Sequence, residues 1–129
     1  MSKTIFVFGS NEAGRHGAGA AKFAFQHHEA IYGQGYGLQG NSFAIPTKDK
    51  QLKTLPLGKI AEYVNGFCFF AETFQELEFH VTRIGCGLAG YTDEQIAPMF
   101  YSAPKNCFFD KRWKDFLTED LQPNCILWG

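Results

Sequence analysis

Apolar positions fall into short runs and three-four stripes, separated by clusters of glycine. Residues 4–8 are apolar throughout, which predicts a strand covered on both faces. Residues 18–28 predict a helix with Ala20, Phe23, Ala24 and His27 on one stripe. Small residues at its start would let it pack close to a sheet. Residues 31–40 hold four glycines among Tyr32, Gln34, Tyr36 and Gln39 and show neither period, so they read as a loop, either a plain connector or a lid over a ligand. The next strand spans residues 41–46, and its ladder is expected to stop at Pro46, which lacks an N–H. Leu57, Ile60, Ala61, Val64, Cys68 and Ala71 form a buried helical stripe, so residues 57–73 are the clearest helix in the chain.

Residues 79–84 read as a strand. Thr92 and Gln95 then fit a capping box that opens a helix running to residue 101 despite Pro98. A strand at 106–109, a short helix at 111–117 and a final strand at 124–128 complete the series. This alternation predicts an α/β fold: a three-layer α/β/α sandwich around a mixed, mostly parallel sheet. The length of 129 residues fits one domain, in which roughly two-thirds of the extended surface is buried.

Two glycine loops, each between a strand and a helix, carry the chemistry. The first runs from Gly9, Ser10 and Asn11 through Arg15 and His16 to Gly17, Ala18 and Gly19. The second is Gly85, Cys86, Gly87, Leu88, Ala89, Gly90 and Tyr91. Either loop alone could be a tight turn. Two in one small domain point to a bipartite phosphate site, because glycine leaves amides unshielded and a helix start adds partial positive charge. Asn11 suits a ribose hydroxyl, Arg15 suits a phosphate, and His16 is a candidate acid or base. Thr47 and Lys48 project from the carboxyl end of a strand, where ligands bind in open α/β sheets.

Composition narrows the partner. The net charge of −1, with both signs scattered, gives no basic patch for a nucleic-acid backbone or a membrane surface. No apolar run approaches the ~20 residues of a membrane span, and the start passes directly into a strand, so a cytoplasmic protein is expected. The cysteines at 68, 86, 107 and 125 lack paired zinc spacing and read as reduced thiols, with Cys86 a small filler or, beside anion-binding amides, an activated thiol. Fourteen phenylalanines are expected mainly in the core. No phosphate-loop lysine motif and no dinucleotide glycine spacing is present, so no cofactor and no metal is expected.

The segment Phe8-Gly9-Ser10-Asn11, followed by His16-Gly17-Ala18-Gly19-Ala20-Ala21, resembles the first strand and helix entry of the macro domains. Arg83-Ile84-Gly85-Cys86-Gly87-Leu88 is similar to their diphosphate loop, nearest the branch of terminal ADP-ribose glycohydrolases and ADP-ribose phosphatases. Ile45-Pro46-Thr47-Lys48 is similar to the strand end that supplies a lysine there. The resemblance implies binding of ADP-ribose or a related NAD-derived nucleotide, with diphosphate across the Gly17 and Gly85 loops and ribose near Asn11 and Lys48. It also implies a hydrolase of ADP-ribosyl or terminal phosphate linkages, in which Lys48 and either His16 or Asp49 as general base would act. Ala89 stands where that branch has an aspartate, which leaves two alternatives: a nucleotide-sequestering binder, or a protein-interaction module whose glycines serve only turns.

Overall fold

The computed structural model describes residues 3–117 and the backbone of residues 126–128. The chain order is β1 (Lys3–Asn11), α1 (Gly19–His27), β2 (Gly37–Gln39), β3 (Ser42–Lys48), α2 (Leu57–Thr73), β4 (Leu77–Val81), α3 (Asp93–Ile96), β5 (Cys107–Asp110) and β6 (Ile126–Trp128). Two 3-10 turns, Ala97–Phe100 and Lys111–Phe116, follow α3 and β5. Residues 124 and 125 of the expected last strand lie outside the described residues, as does the Cys125 thiol. The fold is the expected α/β one, and no helix among the described residues is long and apolar enough to cross a membrane.

The sheet has six strands in the order β2-β3-β1-β4-β5-β6. All neighbouring pairs are parallel except β2 with β3, where Gly37 lies opposite Ala44 and Gln39 opposite Ser42. The edge strand β2 lies inside the glycine-rich segment that the sequence presents as a loop. Pro46 does not end its strand either. The β1 and β3 ladder passes Ser10 opposite Pro46, shifts register, and resumes with Asn11 opposite Lys48, so a bulge absorbs the missing N–H and Thr47 is the extra residue.

From β1 the chain moves to β3 on one side, and from β3 it crosses to β4 on the other. The strand order therefore reverses at the centre, and the carboxyl ends of β1 and β4 open a crevice, the ordinary ligand position in such sheets. Both glycine loops leave from those two ends.

Alternation along β1 divides the core. Ile5 and Val7 join Phe43, Ile45, Phe79, Val81, Cys107 and Phe109 beneath Val64, Phe67 and Ala71 of α2. Each fully buried Phe or Ile there contributes about 1.5–3 kcal/mol of burial free energy. Phe8 faces the other way, into a small cluster with Ala21, Ala24, Ala30 and Ala44. Helix α1 buries Ala21 and Ala24, whereas Ala20 and His27 are exposed and Phe23 is 48 % exposed. The expected stripe is thus turned by one position. The adjacent His28, which reads as part of a solvated face, instead stacks on Phe6 with ring centroids 4.3 Å apart, and partial burial lowers its pKa.

The capping box forms as expected: Thr92 Oγ1 accepts from Gln95 N, and Gln95 Oε1 accepts from Thr92 N. Its helix is only Asp93–Ile96, because Pro98 cannot donate to Glu94 O and the chain tightens into the 3-10 turn.

Candidate functional site

A cavity of about 970 Å³ opens along the carboxyl ends of β3, β1, β4 and β5. Its floor near β1 and β3 comes from Gly9, Ser10, Asn11, Thr47 and Lys48. The first loop contributes Arg15, Gly17, Ala18 and Gly19, and the second Gly85, Gly87, Leu88 and Ala89. The two glycine loops face one another closely: a methyl group on Gly19 would stand 3.4 Å from Leu88 Cδ1.

Unused backbone donors mark both loops. Helix α1 begins after Ala18, which has no side chain able to cap it, so the first-turn amides lack a side-chain acceptor. In the second loop Cys86 N donates to Arg83 O, Gly90 N to Gly87 O and Tyr91 N to Gly85 O, which close the turn at 3.2, 3.0 and 2.9 Å. The amides of Gly85, Gly87, Leu88 and Ala89 have no acceptor among the described residues.

Steric demand separates the glycines. Gly85 has φ +73°, and an added Cβ would lie 3.1 Å from Ile96 Cδ1, so the fold itself requires glycine there. Gly17 and Gly87 lie outside the left-handed region, and nothing stands within 4 Å of an added Cβ at either. They are not needed for packing, and both border the cavity.

The electrostatics favour an anion. Arg15, Lys48, Arg83 and Arg112 line the space against one carboxylate, Asp110. The side chains of Arg15 and Lys48 have no ion-pair partner among the described residues. Arg83 is committed: its Nε and Nη2 each donate to Asp93 at 2.7 Å, and Trp113 Nε1 donates to the same carboxylate at 2.7 Å. Those hydrogen bonds, Arg83 first, hold the Asp93 carboxyl down at about 2. Arg112 likewise pairs with Asp110, whose carboxyl it holds below the usual range.

Several expected site residues lie elsewhere. His16 is only 1 % exposed and does not line the cavity; its Nε2 donates to Gln34 O at 3.1 Å and to Gln39 Oε1 at 3.2 Å, and its Nδ1 has no partner among the described residues. It fastens the first loop to β2, which removes it as an acid or base for a ligand. Asp49 also turns away: its Oδ1 accepts from Gln51 N and Lys53 N, both at 2.9 Å, in a local turn. Within the second loop, Cys86, Gly90 and Tyr91 do not line the cavity. The Cys86 thiol is pushed up to about 12, chiefly by burial and then by Asp93, so it is a filler and not a nucleophile at neutral pH. Tyr91 anchors the loop by donating to Leu55 O at 2.7 Å.

Asn11 and Ser10 reach the cavity while bracing it. The Asn11 amide accepts from Arg15 N and donates to Arg15 O, both at 2.9 Å, and the Ser10 hydroxyl donates to Gly35 O. The segment 31–39 is therefore no free lid. Gly14 sits against Gly33 and Gln34 so tightly that an added Cβ would lie 2.3 Å from Gly33 C, and Gly35 nests equally against Asn11 O. Tyr32 alone of its two expected lid tyrosines lines the cavity.

Phe6, Ala20, Phe23 and Tyr32 make an apolar wall beneath α1, and Thr82, Asp110 and Arg112 make the end beyond β4. These cavity roles escape sequence reasoning. Asp110 and Arg112 follow the expected strand end by one and three residues, and an Asp-x-Arg sequence there has no distinctive spacing. Comparison of the chain with protein families, with curated proteins and with solved structures returns no match.

Proposed function

We propose that this protein binds ADP-ribose or a related NAD-derived nucleotide in the crevice between the two glycine loops. The carrying observation is the pair of facing loops, where α1 starts without a side-chain cap and the amides of Gly85, Gly87, Leu88 and Ala89 have no acceptor among the described residues, in a cavity whose described lining holds four cations and one paired carboxylate. A diphosphate would lie between Gly17 to Gly19 and Gly85 to Ala89, with a ribose toward Asn11 and Lys48. The dimensions agree with an extended ligand, since β3 to β5 is three strand intervals, roughly 14 Å at ~4.8 Å each. The likeness of the same two loops to those of macro domains supports the reading independently of the cavity.

Binding without turnover fits the side chains best. The one carboxylate among the described lining residues is held by Arg112, Ala89 offers none, and His16 and Asp49 face away. Titration calorimetry with ADP-ribose tests the proposal, together with thermal unfolding. At about 100-fold excess over the dissociation constant the ligand adds about 2.7 kcal/mol of apparent stability. No heat and no stabilisation would dismiss it, and release of ADP-ribose from an ADP-ribosylated substrate, or of phosphate from ADP-ribose 1″-phosphate, would replace binding with hydrolysis.

A further inference from the structure

One end of the cavity has no role in the diphosphate and ribose assignment. It lies where β4 and β5 finish, across β1 from Lys48, and is bordered by Thr82, Asp110 and Arg112. The cation at this end differs from the others. Arg15 and Lys48 are free to follow an anion, and Arg83 is turned to Asp93 with its side chain 28 % exposed. Arg112 is both fixed and open. Its Nε donates to Asp110 Oδ1 at 2.9 Å, its Nη2 to Oδ2 at 2.6 Å, and its backbone N to Oδ1 at 2.9 Å. Yet the Arg112 side chain is 62 % exposed, while that of Asp110 is 5 % exposed.

Such a pair consumes one edge of the guanidinium, offsets its charge and freezes its plane. What it leaves available is a flat, delocalised face with little conformational freedom to lose on contact. Arginine planes of this kind stack on nucleobases. Because the diphosphate and ribose occupy the centre and the β3 end, the remaining group of the nucleotide reaches this one.

We infer that Arg112, held flat by Asp110, is the stacking platform for the ligand's nucleobase, a specificity role served from the end of β5. The inference rests on the nucleotide reading proposed above. It requires a planar face and not a positive charge, and this separates it from one more phosphate contact.

The experiment is calorimetric titration of the whole chain with ADP-ribose, comparing the native protein with Arg112→Ala, Arg112→Lys and Arg112→Tyr, each first checked for native thermal unfolding. Loss of one base stack weakens binding at least about fivefold. Arg112→Ala and Arg112→Lys are both expected to show that loss, while Arg112→Tyr stays within about twofold of native. Unchanged affinity in Arg112→Ala overturns the inference and leaves the nucleotide reading standing. Retained affinity in Arg112→Lys, or equal loss in all three variants, assigns the residue to charge or hydrogen bonding and overturns it as well. If the native chain binds no ADP-ribose, the nucleotide reading itself falls and the platform with it.

Discussion

On the α2 face of the sheet, Phe67 meets Phe43, Phe79 and Phe100 with ring centroids 5.1, 5.3 and 6.0 Å apart. On the α1 face, the residues buried beside Phe8 are Ala21, Ala24, Ala30 and Ala44. The first face interlocks large rings, which fixes the strands and leaves no room for a guest. The second buries only alanine methyl groups from its helix, with Phe23 and the adjacent His28 against Phe6 at its half-open rim, and Ala20 and Phe23 wall the cavity. One sheet thus separates a close-packed core from an open cavity by residue size, and the glycine loops lie along the border between the two.

The comparison breaks most visibly at Phe67. Phe67→Ala is expected to destabilise the protein by about 3–5 kcal/mol in urea or thermal unfolding, because a fully buried ring would leave a cavity among three others. A loss below about 1 kcal/mol would mean that the α2 face is not the stabilising one. The border can be probed next with two neighbouring glycines. Gly85→Val meets both a positive φ and Ile96, so about 2–4 kcal/mol should be lost. Gly87→Val meets nothing within 4 Å and should unfold within about 0.5 kcal/mol of native while ADP-ribose affinity falls at least about tenfold. Equal destabilisation by the two substitutions would return both glycines to turn formation alone.

The smallest expected effect sharpens the border itself. Asp93 joins Arg83, a cavity residue, to Trp113 of the large core. Its carboxyl lies at about 2 in the folded protein against an ordinary 3.8, a depressed value. The stability it contributes is therefore present above about pH 4 and is lost as pH falls through about 2. Asp93→Asn should cost about 1–2 kcal/mol at neutral pH and flatten the acid limb of a stability curve between pH 4 and 2. An unchanged acid limb would show that Asp93 is not a titrating joint.

Local chemistry was legible where it was self-contained. Helix α2 has its expected bounds, Leu57–Thr73, because its apolar stripe meets one deep core and Pro56 precedes its first turn. The Thr92 capping box needed only residues three apart. What depended on other segments was not legible. Strand β2 exists through its pairing with β3, and the bulge opposite Pro46 exists through its pairing with β1. The α1 stripe was misplaced because apolar periodicity does not distinguish a core from the wall of a cavity. Within the site, the glycines of both loops and Lys48 were readable as residues of one crevice, whereas the inward turn of His16 and the Asp110 and Arg112 pair arise only when distant strands are brought into register.

The fit of Gly14 and Gly35 against the 31–39 segment carries a further consequence. Together with the bonds from Ser10 and His16 to Gly35 and Gln34, it makes the first glycine loop and the sheet edge one cooperative opening unit. Amide exchange at β2 is then expected to follow the same opening as the first loop, and any ligand seated among Gly17 to Gly19 would slow exchange at an edge strand that it never touches.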